Sequence, residues 1–428
     1  MVSPWHNNEE LKNLMNQAET KIQSKIREAE LAADWNQARL LNIFQEEGVS
    51  SFHFNPSTGY GYDDVGRETL DRIYAKVFGT ESAIVRHQFI SGTHAIHAAL
   101  FGILRPGDRL LYAGMPYDTL QTAIGLTDDK TGSMADYGII CDVAPLNKDG
   151  YPNSETLREN ITPKTKVVAL QRSKGYASRP SIPMDKMKQI ITEIKHSHPE
   201  VIVFVDNCYG EFVETTEPGH AGADLLAGSL IKNPGGGLVR TGGYIAGKKQ
   251  YVEQAASRFA APGIGLDGGA TLNSLLEMYQ GLFMAPHVVS EALKGAFFTA
   301  AFLEEAGLKT FPSSTEERTD LIQAVTFEDK QRMIRFCQAV QEASPVDSMV
   351  VPEPSIMPGY EDEVIMAAGA FIQGSSIELS ADGPLRPPYT AYIQGGLTFS
   401  HVKYAVQHAL NVLIEEKLMP PFHSNKEK

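Results

Sequence analysis

The sequence predicts an α/β protein in which a large, mostly parallel β-sheet is covered by helices. Beyond about residue 68, short apolar stretches typical of strands alternate with amphipathic helical stretches, which is the pattern of parallel sheets. The strongest strand is VIVFVDN, where residues 201–205 are all apolar and four of them are Val or Ile. The chain has 428 residues, 42% of them hydrophobic and 21% charged, which is enough for two or three domains with a large core.

The N-terminal region is predicted to be a helical arm over residues 1–50. Between residues 9 and 46, apolar residues recur at spacings of three and four, beginning with Leu11, Leu14, Ala18, Ile22 and Ile26. Such a stripe has to be buried, either against the chain's own domain or against a partner subunit. The stretch FHFNPSTGYGYDDVGRETLD follows as a glycine-rich loop that leads into a helix near Glu68.

The elements that follow belong to a large domain predicted over residues 51–290. GDRLLYAG and KVVALQ have the pattern of short strands, and SIPMDKMKQIITEIKHSH has that of a helix. After about residue 290, EALKGAFFTAAFLEEAG indicates a long helix, and EVIMAAGAFIQGSSIELS indicates two strands about the Gly374-Ser375 turn. A smaller C-terminal α+β domain is therefore predicted over residues 291–428.

Charge and cysteine content argue against several classes of protein. A net charge of −14 is unfavourable for nonspecific nucleic-acid binding. The three cysteines are far apart in sequence and suggest neither a disulfide framework nor a zinc pair. Because no secretory signal or membrane-length apolar stretch is evident, a cytoplasmic protein without membrane attachment is expected. His94 and His97 lack a completing ligand set, so structural histidines and no metal site are expected.

The first candidate site is the helix start in ISGTHAIHAALFGIL. Ser91, Gly92 and Thr93 form a small turn before an apolar helix, whose first turn offers unpaired N–H groups and the positive end of the helix dipole. Gly92 would let an anion approach the backbone, and Thr93 could donate its hydroxyl, as a phosphate requires. An ordinary helix cap is the alternative.

The second candidate is Asp206, which ends the strand VIVFV. Ligands of open α/β sheets bind beyond the carboxyl ends of the strands. A buried carboxylate at such a place needs a positive partner, and a protonated ring nitrogen would be one. A turn-capping aspartate is the alternative.

The third candidate is Lys232 in GSLIKNPGGGLVRTGGYIAG. Burial or a cationic neighbour would make its amine a nucleophile, and the glycines would let a planar group lie close to the backbone. Ser229 could add a hydroxyl to the same phosphate, whereas a solvated loop lysine is the alternative. The order of the three candidates indicates a pyridoxal-phosphate site, in which Lys232 forms the Schiff base and Asp206 pairs with the pyridine nitrogen.

These motifs together resemble a known family. VDNCYGEF and SLIKNPGGG are similar to the aspartate and lysine motifs of the cystathionine and methionine lyase branch of fold-type I pyridoxal-phosphate enzymes. GYGYDDVGRETLDRIYAKVFG, SGTHAI and SADGPLRPPYTAYIQGGLTF are similar to the methionine gamma-lyase-like, or aluminium-resistance, group. The resemblance covers about residues 50–415. It implies the fold-type I architecture, with a seven-stranded, mostly parallel sheet domain and a smaller C-terminal α+β domain.

The resemblance also implies roles for individual residues around the cofactor. Ser91, Gly92, Thr93 and Ser229 would bind the phosphate. Tyr117 would stack on the ring and could protonate the leaving group. Independently of the resemblance, Tyr209 could either bond to the ring hydroxyl or pack under the strand.

Two further roles concern the substrate and a neighbouring subunit. Arg386 would bind the substrate carboxylate, a task that suits a bidentate guanidinium. Tyr60 lies in the early loop that reaches the phosphate of a neighbouring subunit in the lyases. This loop lacks the tyrosine-x-arginine sequence of the lyases, so Tyr62 and Arg67 are alternatives. QRSKGYASRPS stands where the lyases carry another motif, so substrate specificity is not implied.

The predicted function is a pyridoxal-phosphate-dependent lyase that eliminates a sulfur-bearing group from Cβ or Cγ of a sulfur amino acid. An aminotransferase, racemase or aldolase on the same fold is the alternative enzyme. Outside the enzymes, the sequence leaves open a noncatalytic regulator that binds pyridoxal phosphate and a stress-related metal-binding protein. The predicted partners are a small amino-acid substrate and identical subunits, in a homodimer or homotetramer with active sites at the interface.

Overall fold

A computed structural model describes residues 9–357 and 360–420 of the chain. The predicted features at residues 1–8 and 421–428 lie outside the described residues. The α-helices in the described part are α1 (Glu9–Lys21), α2 (Gln23–Glu46), α3 (Val65–Phe78), α4 (Gly92–Ile103), α5 (Asp118–Ile124), α6 (Ser154–Asn160), α7 (Met184–Ser197), α8 (Lys249–Phe259), α9 (Leu275–Glu305), α10 (Lys330–Glu342) and α11 (Phe399–Glu415). None of the helices in these ranges is long and apolar enough to cross a membrane.

Seven strands form the main sheet, in the order β1-β7-β6-β5-β4-β2-β3. Their bounds are β1 (Ser82–Arg86), β2 (Arg109–Ala113), β3 (Ile140–Ala144), β4 (Thr165–Gln171), β5 (Ile202–Asp206), β6 (Leu225–Ser229) and β7 (Gly243–Gly247). Strands β6, β5, β4, β2 and β3 are parallel, whereas β7 is antiparallel to β6 and β1. Every residue of β5 and β6 is buried, as expected for strands covered on both faces. The predicted mostly parallel sheet is confirmed, with the stretch VIVFV supplying its central strand.

Six further strands form an antiparallel sheet, in the order β10-β11-β12-β13-β9-β8. Their bounds are β8 (Lys309–Phe311), β9 (Gln323–Thr326), β10 (Ser355–Ile356), β11 (Glu363–Ala367), β12 (Ser380–Pro384) and β13 (Thr390–Gln394). Strands β11 and β12 pair as predicted, and a turn is present at Gly374, where Ser375 N bonds to Ile372 O at 3.0 Å; however, β12 begins only at Ser380, so the connection is longer than predicted. The reason is that Glu378 accepts the backbone N–H groups of Phe371 and Ile372, both at 2.9 Å, and holds this connection as a longer loop.

The chain divides into two compact units. One is Asp34–Pro286, and the other combines the described residues up to Ala33 with those from His287 onward. The boundaries fall inside α2 and α9, whereas the sequence predicted an arm over residues 1–50 and a boundary after residue 290. Residues 9–33 belong with the C-terminal part, to which α1 is also linked by ion pairs. Lys21 pairs with Glu304 at 3.0 Å, and Lys403 pairs with Glu19 at 2.9 Å.

The predicted N-terminal helix is present as two helices, because a turn at Ile22 separates α1 from α2. Leu11, Ala18 and Ile22 are fully buried within this chain. Of the two predicted alternatives, the apolar stripe therefore packs against its own chain.

Candidate active site

The three candidate sites converge at one edge of the seven-stranded sheet. Strands β5 and β6 are parallel neighbours, so their carboxyl ends, Asp206 and Ser229, lie at the same edge. A Cβ atom added to Gly92, the first residue of α4, would lie 3.0 Å from Cβ of Ser229 and 3.4 Å from Sγ of Cys208. The start of α4 therefore packs directly against the ends of both strands, and glycine is the residue that permits this approach.

The hydroxyls at the start of α4 have different partners. Ser91 caps the helix, since its Oγ accepts the backbone N–H of His94 at 3.0 Å. Oγ1 of Thr93 lies 2.8 Å from the phenolic oxygen of Tyr117. The backbone N–H of Tyr117 in turn donates to Oε1 of Gln171 at 3.2 Å. Burial and the neighbouring Asp206 raise the pKa of Tyr117 well above its ordinary value, so the phenol is neutral at physiological pH.

Asp206 has the features of a buried carboxylate that requires a cation. Its side chain is 2% exposed, and Oδ1 accepts the backbone N–H of Cys208 at 3.1 Å. Burial raises its pKa, while Lys232 and the bond from Cys208 oppose that shift without cancelling it. A protonated pyridine nitrogen in contact with Asp206 would therefore offset the cost of burying this carboxylate.

Lys232 lies in the connection between β6 and β7, which is closed by a hydrogen bond from Leu230 N to Gly242 O at 3.0 Å. Its Nζ lies 3.9 Å from the ring centroid of Tyr209, a cation–π contact. Burial lowers the pKa of Lys232, but Cys208, Tyr209 and Asp206 outweigh burial, so the net shift is upward. The free lysine is therefore an ammonium that must lose a proton before it can act as a nucleophile.

Gly235 and Gly236, which follow Lys232, allow close packing of backbone against backbone. A Cβ on Gly235 would overlap the carbonyl oxygen of Leu230, and one on Gly236 would overlap that of Gly281 in α9. Gly236 also has a φ of 54°, in the left-handed region. The prediction that these glycines make room for a planar ligand is not supported, because the backbone itself occupies the space beside Gly235 and Gly236.

Tyr60 and its two alternatives lie in the loop before α3. Tyr60 is 76% exposed and stacks on Tyr62, with ring centroids 5.4 Å apart. Arg67 is buried, and its guanidinium donates to the backbone carbonyls of Gly61, Asp267 and Gly269. Arg67 therefore holds the loop, whereas Tyr60 and Tyr62 are both exposed on its surface.

Arg386 lies in the connection between β12 and β13. Its Nη1 donates to Oδ2 of Asp362 at 3.1 Å, and about half of its side chain is exposed. His94 and His97 pack against aromatic rings, with His97 stacked on Phe101. In the described ranges the structure shows no group of three or more His, Cys, Asp or Glu residues that could hold a metal ion.

Sequence reasoning did not identify Gln171 and Arg172 as part of the site. Gln171 ends β4 and orients the backbone of Tyr117. The backbone N–H of Arg172 donates to the carbonyl oxygen of Asp206 at 3.0 Å. Both residues belong to QRSKGYASRPS, which the sequence marked only as a departure from the lyases. The position of this stretch directly after a buried strand was the available signal.

The residues at this edge fit pyridoxal phosphate. The start of α4 offers backbone N–H groups to a phosphate, Asp206 is a buried carboxylate in need of a cation, and Lys232 supplies a primary amine. A seven-stranded, mostly parallel sheet with these groups at its carboxyl edge is the arrangement of the fold-type I pyridoxal-phosphate enzymes. Within that class, the chain belongs to the methionine gamma-lyase family, whose model matches residues 11–414.

Close relatives match nearly the whole chain. The uncharacterised protein YnbB of Bacillus subtilis is 55% identical over 411 residues, which cover 96% of this chain and 98% of that protein. One crystal structure, from Listeria monocytogenes, is described as that of a proposed cystathionine beta-lyase involved in aluminium resistance. It is 55% identical to this chain with a TM-score of 0.91, and the match covers 94% of this chain and 99% of that one. A carbon-sulfur lyase involved in aluminium resistance from Clostridium novyi is 47% identical with a TM-score of 0.91, covering 95% and 96%.

A more distant structure shows the fold alone. The pyridoxal-phosphate-dependent protein YhfS of Escherichia coli is 14% identical with a TM-score of 0.61, and the match covers 89% of this chain and 96% of that one. The fold-type I architecture is thus shared beyond the immediate family.

Proposed function

We propose that this protein is a pyridoxal-phosphate-dependent carbon-sulfur lyase that acts on a sulfur-containing amino acid. The observation that carries the proposal is the convergence of the α4 N-terminus, Asp206 and Lys232 at one edge of the sheet. The family, and the lyase described in Clostridium novyi, support a carbon-sulfur bond as the one that is broken. An aminotransferase is not favoured, because the related proteins that carry a described activity are lyases.

The cofactor, when bound, supplies an electron sink for the negative charge that develops at Cα of the substrate. Gly92, Thr93 and Ser229 would hold its phosphate, with Ser91 keeping α4 capped. Asp206 would keep the pyridine nitrogen protonated, which strengthens that electron sink. Lys232 would bind the cofactor covalently in the resting enzyme.

The acid–base work falls to Lys232 and Tyr117. The free amine of Lys232 would take the proton from Cα as general base. Loss of this proton would allow a carbon-sulfur bond at Cβ to break, whereas a bond at Cγ would break only after a proton is also removed from Cβ. In either case the neutral Tyr117 phenol, beside Thr93, would supply a proton to the departing sulfur. Arg386 stays a prediction for the substrate carboxylate, and binding there would compete with its ion pair to Asp362.

We also propose that the active form is a homodimer or homotetramer in the cytoplasm. Exposed apolar side chains lie on two segments of the Asp34–Pro286 unit. The two segments adjoin, since Gly269 N bonds to Tyr60 O and Leu272 N bonds to Ser57 O. These side chains are Phe52, Tyr60, Tyr62, Leu272 and Leu276. A surface of this kind is typical of an interface with an identical subunit.

The test of the lyase proposal is an absorbance spectrum combined with product analysis. The purified protein with pyridoxal phosphate should absorb at ~420 nm, and a sulfur amino acid should be converted to keto acid and free thiol. Lys232→Ala should lose both the band and the turnover. Lys248→Ala, a lysine at the opposite edge of the sheet, is the matched control and should keep both. Turnover that survives in Lys232→Ala would overturn the assignment.

The choice of leaving position is tested with two substrates. Release of thiol from a substrate with sulfur at Cβ, and not from one with sulfur at Cγ, would assign β-elimination, and the reverse would assign γ-elimination. Keto acid formed only with a second amino-acid acceptor, and without thiol, would instead identify an aminotransferase.

A further inference from the structure

We propose that Arg172 is a positioning residue: through Asn207 and Glu217 it holds the backbone turn that places the Tyr209 ring against Lys232. This inference rests on the proposed function, in which Lys232 is the reactive lysine. The turn consists of residues 207–213, which follow Asp206 directly in the chain. Arg172 comes from the stretch QRSKGYASRPS, for which the family resemblance supplies no role.

Arg172 is fully buried and stands at the centre of a buried polar cluster formed by Arg172, Asn207 and Glu217. Its Nη1 donates to Oδ1 of Asn207 at 2.9 Å and to Oε2 of Glu217 at 3.3 Å. Asn207 Nδ2 donates to the same Oε2 at 3.1 Å. Nη2 of Arg172 donates to Oε2 of Glu214 at 2.9 Å, so both terminal nitrogens of the guanidinium are bonded to protein groups.

The turn needs such support because its backbone is strained. Tyr209 has a φ of 69° and Phe212 has a φ of 61°, both in the left-handed region that disfavours residues with a Cβ atom. Such residues are energetically unfavourable and persist only where the surrounding structure holds them. A Cβ on Gly210 would overlap the Arg172 side chain, so the backbone of the turn packs directly against this arginine.

Glu217 fixes the far end of the turn. Its Oε1 accepts the backbone N–H of Phe212 at 2.8 Å, while its Oε2 accepts from Arg172 and Asn207. One buried carboxylate thus connects the two ends of the turn. Removing its charge weakens both connections, because charged acceptors make the stronger hydrogen bonds.

The turn contacts the reactive lysine and also the residue that follows it, Asn233. The ring of Tyr209 lies 3.9 Å from Nζ of Lys232, and Nδ2 of Asn233 donates to the carbonyl oxygen of Glu211 at 2.9 Å. The backbone N–H of Arg172 also fixes the carbonyl oxygen of Asp206. A shift of the turn would therefore move the Tyr209 ring and the lysine loop together.

The experiment compares Glu217→Gln with Asp224→Asn in the full-length enzyme loaded with pyridoxal phosphate. Asp224 is a matched control because it is equally buried and paired, with Lys248 at 2.8 Å, but it precedes β6 and so lies at the opposite edge of the sheet. Both variants exchange a buried carboxylate for an amide. Steady-state kcat and KM, the ~420 nm band and the thermal unfolding midpoint are measured for each.

We expect both variants to have lower unfolding midpoints, but only Glu217→Gln to lose kcat, by ~10-fold or more, with KM within about twofold of the wild type. Arg172→Lys should likewise lower kcat and leave KM nearly unchanged, since an ammonium cannot bond to Asn207 and Glu217 as the guanidinium does. Tyr209→Asn tolerates the left-handed backbone and removes the ring, so it should reproduce the kcat loss even if the cluster variants fold poorly.

Two outcomes would overturn the proposal. One is a kcat in Glu217→Gln or Tyr209→Asn equal to that of the wild type. The other is an equal loss of kcat in Glu217→Gln and Asp224→Asn, which would make the cluster a general stability element. A wild-type enzyme without the ~420 nm band would instead overturn the proposed function, so the two failures are distinguishable.

Discussion

At the residue scale, the site depends on the charge balance between Asp206 and Lys232. Both groups are removed from water, and each is stabilised by the opposite charge of the other. The net upward shift of the pKa of Lys232 means that the free lysine is protonated throughout the physiological range. Attachment of pyridoxal phosphate requires the neutral amine, so the fraction of the enzyme that is ready to react rises with pH.

We therefore expect the rate of cofactor attachment to the apoenzyme to rise about tenfold per pH unit between about pH 7 and pH 9. Asp206→Asn removes one of the groups that raise the pKa of Lys232, so attachment at about pH 7 and saturating cofactor should become faster while turnover falls. Stopped-flow absorbance at ~420 nm measures the attachment. A rate independent of pH over this range would contradict the charge assignment.

The sequence could predict which residues converge, but not how each is bonded. The order of Gly92, Asp206 and Lys232 along an α/β chain places them at one edge of a parallel sheet, and the structure brings them together. The roles of Arg172 and Gln171 could not be predicted, because a buried arginine in an irregular stretch has no periodic signal. Its partners, Asn207 and Glu217, are distant from it in sequence.

At the scale of elements, helix α4 and strand β5 follow directly from local pattern. Strand β5 has four consecutive apolar residues and ends at Asp206, and α4 begins at a Ser-Gly-Thr turn. The connection between β11 and β12 could not be predicted in the same way. Its course depends on Glu378, whose carboxylate accepts two backbone N–H groups from Phe371 and Ile372.

The cap of α4 gives a test that separates stability from ligand binding. Because Oγ of Ser91 accepts the N–H of His94, Ser91→Ala should lower the free energy of unfolding by about 1 kcal/mol. Ser91→Asn restores a capping oxygen and should recover most of that loss. Denaturant unfolding measures the change, and cofactor titration of both variants shows whether the hydroxyl also binds phosphate. An unchanged free energy of unfolding in Ser91→Ala would contradict the capping role.

At the scale of the whole molecule, the fold class was predictable and the division into units was not. The alternation of strands and helices specifies the seven-stranded sheet, whereas residues 9–33 are grouped with residues far along the chain, two of which form ion pairs with α1. Sequence periodicity shows that an amphipathic helix must be buried, but it does not show which surface covers it.

The proposed oligomer makes activity depend on protein concentration. If Tyr60 reaches the site of a neighbouring subunit, Tyr60→Ala should lower cofactor affinity, while dilution below the dissociation constant of the oligomer should lower specific activity. Light scattering and activity measured over the same dilution series test this expectation. Full specific activity in a sample that is monomeric by light scattering would contradict it.

One of the two units is built from two separate parts of the chain, which affects the order of folding during translation. Residues 34–286 form an uninterrupted segment that can fold while the ribosome is still at work. Helix α1, which is synthesised before that segment, has ion-pair partners at Glu304 and Lys403, which are synthesised after it. Helix α1 therefore cannot form these ion pairs until the whole of residues 34–286 has been synthesised.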